Sequence, residues 1–588
     1  MNDFSISRRD MLTLGLLAAA PLGLRAQTAA AAPAAAAPVA AAPPAGTNTM
    51  RTLDQFIAGY CDAMNAPGLT LALAGADGPI RVASYGHVDI AAKIPVLTSH
   101  LFEIGSITKS FVGLTLLQMR EEGKVDLHAP IRKYLPWLAM QTDLGDILVH
   151  HLLTHSGGMP DDAPLFPSSP QRRPRQTFKP GSRFHYCNWG YDVLGRLIER
   201  LDGRPWAAAV TERIFKPIGM TDTSATITSS VRPRIAQSYV PLHDDRPYPR
   251  RGPLVPAGNL AVDFAAGSIA STPKDMALYM QMLLNRGAIP SGRVISEESF
   301  QLFSTPHIAA PIFGPTAGYG YGIAVDKLDG HTRLRHTGGM VSFMSALQLD
   351  LDARIGAFAS INAQLGYRPN PVAEFALQLL RSETERAKPP GTPVFDAAAK
   401  IEGAESYDGV YTRGDGRRLE VKSAAERLTL IVDGHAVPLQ QSDEGTFIAD
   451  HPGIDLYPIA FEREPEASSA AGEESKRAVT ALAYGPDWYA RSGSKARPAL
   501  EPSGELAKYT GKYYSENPWN GVIRIVQRQG QLWMGGTEPL ISIGAHLFRI
   551  GANPWLPETA EFSEWVDGRA NVLWVSGAGF QRIGAADS

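Results

Sequence analysis

Cysteine is nearly absent from this sequence: 588 residues contain two, Cys61 and Cys187. Two thiols exclude a disulfide framework and a four-cysteine metal site, and they allow one bridge at most. An excess of charge is missing as well. Lysine and arginine number 56 against 59 acidic residues, a net charge of −3, which removes the electrostatic case for a nucleic-acid partner. Past Leu24 no stretch reaches the roughly eighteen uninterrupted apolar residues of a membrane helix. What is present, 44% apolar and 20% charged residues, is the composition of an ordinary globular chain. The length exceeds one hydrophobic core and predicts about two to four domains.

Ser7-Arg8-Arg9-Asp10-Met11-Leu12 leads into an apolar run ending at Leu24. A charged start followed by an apolar stretch too short to span a bilayer reads as an export signal. The paired arginines resemble the twin-arginine type. Residues 1–27 are therefore expected to direct the chain to the periplasm or outside the cell. Membrane contact is expected only through this segment, if it is left uncleaved. Residues 28–47 are almost wholly Ala and Pro, a composition that reads as a flexible spacer.

A first folded unit is expected over 48–385. Leu53, Phe56, Ile57, Tyr60 and Met64 recur at helical spacing, and Leu69–Ala74 and Ile80–Tyr85 read as strands around an Asp77-Gly78 turn. Thr272-Pro273-Lys274-Asp275 reads as a helix start, with Thr as the cap and Pro just inside. The run Lys388-Pro389-Pro390-Gly391-Thr392-Pro393 marks a boundary. Beyond it short alternating strands predominate, and a pattern recurs. Tyr407-Asp408-Gly409-Val410-Tyr411 matches Tyr509-Thr510-Gly511-Lys512-Tyr513, and Arg491-Ser492-Gly493 matches Arg582-Ile583-Gly584. Two small antiparallel barrels are expected, over 398–497 and 503–588. Ser468–Ser475 reads as a polar insertion in the first.

A serine hydroxyl needs a base within hydrogen-bond reach to act as a nucleophile. Ser106-Ile107-Thr108-Lys109 offers one, because residues three apart share a helix face. Two more Ser-x-x-Lys matches exist, Ser271–Lys274 and Ser492–Lys495, but only Ser106 opens an apolar helix. Two further motifs follow in order: Tyr186-Cys187-Asn188, the one Tyr-x-Asn, and His336-Thr337-Gly338-Gly339, the one His-or-Lys-Thr-Gly.

With these three motifs in sequence, the chain resembles the penicillin-recognising serine hydrolases. Within them it resembles the branch of class C β-lactamases, D-alanyl-D-alanine carboxypeptidases, D-aminopeptidases and related esterases. The resemblance covers about residues 50–383 and includes the connecting segments Leu152–Met159 and Gly267–Thr272. It implies an α/β fold in which an antiparallel sheet is flanked by helices and joined to an all-helical subdomain, ahead of the two barrels. It also implies roles. Ser106 attacks a carbonyl; Lys109 and Tyr186 share the general-base task, and which holds the proton at rest stays open. Asn188 bonds the substrate amide or Lys109. His336 sits beside Tyr186 and the substrate's polar end, and Thr337, Gly338 and Gly339 count with it among the substrate-binding residues. The backbone N–H groups of Ser106 and Gly339 form the oxyanion hole. No cofactor and no metal are implied. The expected substrate is a small peptide, amide or ester, cell-wall peptide included. His336 stands where class C β-lactamases carry a permanently charged lysine, which argues against efficient β-lactam hydrolysis. A non-catalytic envelope-binding protein using the same pocket remains the alternative of another class, and the oligomeric state is not fixed by the sequence.

Other residues have plainer readings. His151 and His155 are four apart, but Leu152 stands where a metalloprotease motif needs Glu, so core or loop histidines are expected. Arg172, Arg173, Arg175, Lys179 and Arg183 read first as a solvated basic loop, and second as an attractor for an anionic substrate. Cys187 reads as a buried structural thiol. Asn517-Pro518-Trp519 and Asn553-Pro554-Trp555 read as turns with packing tryptophans.

Overall fold

A computed structural model describes residues 48–249, 251–258, 260–364, 369–394, 400–443, 445–464, 477–495 and 497–587. The expected export signal, the Ala/Pro spacer and the polar insertion Ser468–Ser475 lie outside these residues. Among the described residues no helix is long and apolar enough to cross a membrane.

The first unit is built on one antiparallel sheet. In chain order its main elements are α1 (Asn48–Ala63), β1 (Gly68–Gly75), β2 (Gly78–Asp89), α2 (Thr108–Glu121), α3 (Asn188–Asp202) and α4 (Pro273–Leu284). They continue with β3 (Ala324–Leu328), β4 (His331–Gly339), β5 (Met344–Asp350), β6 (Ile355–Ile361) and α5 (Asn370–Thr384). The strands lie in the order β3-β4-β5-β6-β1-β2, with short strands extending both edges. β1 and β6 are buried on both faces, which suits the near-continuous apolar runs Gly68–Ala74 and Ile355–Ile361. On one face α1 and α5 pack through Leu53, Phe56, Tyr60, Phe375 and Leu379. On the other, α4 covers β1, β2 and β6 and joins the larger core with α2 and α3. Thr272 caps α4 as its sequence suggests, its hydroxyl accepting from the Asp275 N–H at 3.3 Å.

Two closed eight-stranded barrels follow, with strands between Gly409 and Arg491 and between Gly511 and Gly584. The sequence repeat has the same physical job in both. The buried Tyr411 hydroxyl donates to the Tyr407 carbonyl at 2.6 Å, and Tyr513 donates to the Tyr509 carbonyl at 2.8 Å. The glycine between each pair leaves room for an arginine side chain: a Cβ at Gly409 would lie 2.9 Å from Arg491 Nε, and one at Gly511 2.7 Å from Arg582 Nε. Closure pairs every strand and leaves no sheet edge exposed.

The three bodies meet at Asp245 and Arg246. Asp245 bonds Lys512 and Arg524 of the second barrel, at 2.9 and 2.7 Å, and Arg246 bonds Asp455 of the first at 2.8 Å. Those cations hold the Asp245 carboxyl well below the usual carboxylate range, against the opposing effect of its burial. Cys61 and Cys187 carry free thiols, and the Cys187 thiol is buried against the Pro160 carbonyl at 3.4 Å.

Candidate active site

Ser106 sits in a single 3₁₀ turn, Gly105–Ile107, that runs directly into α2. The turn brings Ser106 and Lys109 onto one face, with Lys109 Nζ 3.1 Å from Ser106 Oγ. Lys109 is fully buried. Its nitrogen also donates to Asn188 Oδ1 at 2.6 Å and to the Ala266 carbonyl at 2.8 Å. Two of these three neighbours can only accept. A neutral amine therefore spends its two N–H bonds on Asn188 and Ala266 and aims its lone pair at the Ser106 hydroxyl, which is the arrangement of a base. Burial brings the Lys109 pKa down to about 7, while the nearby carboxylates of Asp161 and Asp192 work in the opposite direction.

Tyr186 and Asn188 arrive on a short extended segment, Cys187 having φ −148° and ψ 104°, that turns into α3 at Asn188. Two residues absent from the sequence-derived set hold this segment. Asp161 accepts from the Asn188 N–H through its carboxylate and from the Trp189 N–H through its carbonyl, so it satisfies the start of α3 while lending negative potential to Lys109. His155 is the second. It adopts a left-handed backbone, φ 55°, uncommon outside glycine. Its carbonyl accepts from the His185 N–H at 2.8 Å and its Nδ1 from the Cys187 N–H at 3.0 Å. Its ring stacks on Tyr186 with centroids 4.3 Å apart. Burial first, and the Lys109 charge second, hold the His155 imidazole well below the ordinary histidine range. The expected core histidine is buried as read, and it also cradles the tyrosine. Its one sequence signal is its place in the Leu152–Met159 segment. The Tyr186 ring lies 4.9 Å from Lys109 Nζ.

The third motif ends β4. Tyr319 Oη is 2.9 Å from His336 Nε2, and His336 Nδ1 is 2.6 Å from the Thr337 carbonyl. A carbonyl can only accept, so Nδ1 carries the proton and in the neutral ring Nε2 accepts from Tyr319. The His336 ring lies 6.3 Å from that of Tyr186. Gly338 and Gly339 bring the strand end against the Ser106 turn. A Cβ at Gly105 would lie 2.7 Å from Gly339 N, and one at Gly338 only 1.8 Å from the Ile104 carbonyl oxygen and 2.3 Å from Ser345 Oγ. Gly338→Ala is therefore expected to force strand and turn apart. It should cost at least about 1–3 kcal/mol of stability and slow acylation of Ser106 at least tenfold. Thermal melting and active-site labelling measure both; an unchanged variant would show that the close approach is dispensable.

In the basic run before Tyr186, Arg173, Arg175, Lys179 and Arg183 are exposed, as a solvated loop has them, and Arg172 is half-buried. Arg172 lies over the Trp574 ring at 3.7 Å and Arg183 over Trp555 at 5.6 Å, both tryptophans belonging to the second barrel. The Asn-Pro-Trp repeats do pack, but across the domain boundary: Trp519 meets Phe264 at 5.6 Å and Trp555 meets Phe178 at 6.2 Å. His151 and His155 each spend Nδ1 on a backbone N–H, of Leu148 and of Cys187 respectively. Among the described residues one cluster has metal-ligand spacing, His331, Asp350 and Asp352, and there Arg381 already bonds Asp350 at 3.1 Å.

A family model described as Beta-lactamase matches residues 53–380. Uncharacterized protein MT1414 of Mycobacterium tuberculosis (strain CDC 1551 / Oshkosh) is 28% identical over 284 residues, covering 42% of this chain and 70% of the relative. Penicillin-binding protein 4 of Amycolatopsis lactamdurans is 26% identical over 302 residues, covering 48% of this chain and 77% of the relative. The structure of the octameric penicillin-binding protein homologue from Pyrococcus abyssi superposes with a TM-score of 0.54 at 23% identity, covering 75% of this chain and 99% of that one, and bears on the fold alone.

Proposed function

The chain belongs to the beta-lactamase family, and from that premise we propose an exported serine hydrolase that forms an acyl-enzyme at Ser106. Its substrates are D-amino-acid-containing peptides or amides, or esters. The observation that carries the reading is the Lys109 amine, buried beside the Ser106 hydroxyl at 3.1 Å with Asn188 and Ala266 taking its other bonds. Lys109, with Tyr186 alongside, accepts the serine proton as the carbonyl is attacked. Tyr186 returns a proton to the leaving group. The backbone N–H groups of Ser106 and Gly339 stabilise the oxyanion. Water then releases the acyl group. The name of the Amycolatopsis relative supports penicillin as a trapping reagent. The β-lactamase reading ranks second, because His336 lacks the permanent charge that lysine offers a substrate carboxylate. Export rests on the arginine pair and apolar run of Ser7–Leu24.

The test sets p-nitrophenyl esters, D-alanyl p-nitroanilide and nitrocefin side by side, with fluorescent penicillin as the covalent label. Expected is turnover of an ester or D-alanyl amide at least tenfold above nitrocefin, and label recovered outside the cytoplasm of fractionated cells. Ligand binding without acylation by any probe would favour the non-catalytic alternative. Nitrocefin turned over fastest would favour a β-lactamase.

A further inference from the structure

The stretch that delivers Tyr186 to the site lies along the second barrel for much of its length. Arg172 covers the Trp574 ring at 3.7 Å and its Nε lies 3.4 Å from a Glu561 oxygen. Thr177 Oγ1 donates to the Trp555 carbonyl at 2.5 Å. At the end of this run, one residue before Tyr186, His185 Nε2 meets Glu558 Oε1 at 2.6 Å. Both side chains are largely withdrawn from water, 14% exposed each. His185 is also tied from the opposite side, its N–H donating to the carbonyl of His155, whose ring stacks on Tyr186. The backbone entering Tyr186 is thus held between a side chain of the second barrel and the hydrolase core. A hydrogen bond to a carboxylate withdrawn from water is strong and directional. A reacting group displaced by about 1 Å can lose two orders of magnitude in rate.

We propose that the second barrel is a working part of the catalytic site, with Glu558 acting through His185 as a positioning residue for Tyr186. Barrel and hydrolase would then make one active site rather than a catalyst with an appended binding module. This rests on the reading of Tyr186 as a proton carrier.

A double-mutant cycle on the full chain tests it. Glu558→Ala is made alone and with Tyr186→Phe, and kcat, KM and melting temperature are measured with a p-nitrophenyl ester. Tyr186→Phe alone is expected to lower kcat by about two orders of magnitude, the scale of general acid–base catalysis. Glu558→Ala alone is expected to lower kcat about tenfold, with KM changed less than twofold. Added to Tyr186→Phe, it is expected to change kcat less than twofold, because the group it positions is already gone. The same factor in both backgrounds, or no effect on the parent, would overturn the proposal. If Glu558→Ala does not fold, Glu558→Gln, which keeps the volume and removes the charge, carries the same comparison. If Tyr186→Phe alone leaves kcat intact, the assignment of Tyr186 fails first, and any effect of Glu558 must run by another route.

Discussion

Replacing Ser106 by alanine should abolish covalent labelling by penicillin and fluorophosphonate probes and lower ester turnover by up to about 10⁶-fold, the scale seen when a serine hydrolase loses its nucleophile. Intact-protein mass spectrometry reads the first effect and initial rates the second. The expectation is specific because the competing serines have different surroundings. Ser271 Oγ is 2.8 Å from Thr223 Oγ1, and its motif partner Lys274 is exposed. Ser492 and Lys495 are both exposed on the first barrel. Only at Ser106 does a buried amine face the hydroxyl. An adduct that persists in Ser106→Ala, at either of the other serines, would refute the assignment. Binding of substrate should survive the change, since the backbone donors at residues 106 and 339 are untouched.

Lys109→Met should lower acylation about 10³-fold, less than loss of the nucleophile does, because it keeps the buried volume and removes the base. The pH profile gives the decisive signature. Burial brings Lys109 to about 7, so the acylation rate of the parent should climb through that pH as the ammonium loses its proton, then level off. The variant should lose this limb and keep a low, flat rate. The sign for stability follows from the same shift. The folded pKa lies below the unfolded one, so between about 7 and the ordinary lysine value of 10.5 the unfolded chain binds more protons and stability rises with pH. The cost of the buried ammonium is fully felt below pH 7. Lys109→Met should therefore melt higher than the parent at pH 6, with the gap closing as the pH rises. A rate limb surviving in Lys109→Met would transfer the base role to Tyr186.

Much of this site was legible in the sequence because its chemistry is packed into short strings. Ser106 and Lys109 need only one helical turn to meet. Tyr186 and Asn188 straddle one extended residue, and His336–Gly339 end one strand. Their order along the chain carried the family resemblance. The barrels were legible through strand alternation and through a Tyr-x-Gly-x-Tyr pattern whose members bond one another locally. What stayed hidden depends on partners distant in sequence. Asp161 matters because it meets Asn188 and faces Lys109 after folding. His155 matters because its left-handed backbone turns both its carbonyl and its ring toward residues 185–187. Two arginines of the basic run, Arg172 and Arg183, found tryptophans roughly four hundred residues away, and no local pattern encodes that meeting.

The place of β1 in the sheet has a consequence for synthesis. Leu69 pairs with Ile361, roughly 290 residues further on. A ribosome working from the amino end thus releases an apolar ribbon, Leu69 to Ala74, long before one of its two neighbours exists. That ribbon waits with one side unpaired until the chain has nearly passed through the whole first unit. A nascent chain cut short ahead of Ile355 would keep this adhesive side open, so halted translation and premature stops would yield sticky fragments rather than smaller working enzymes.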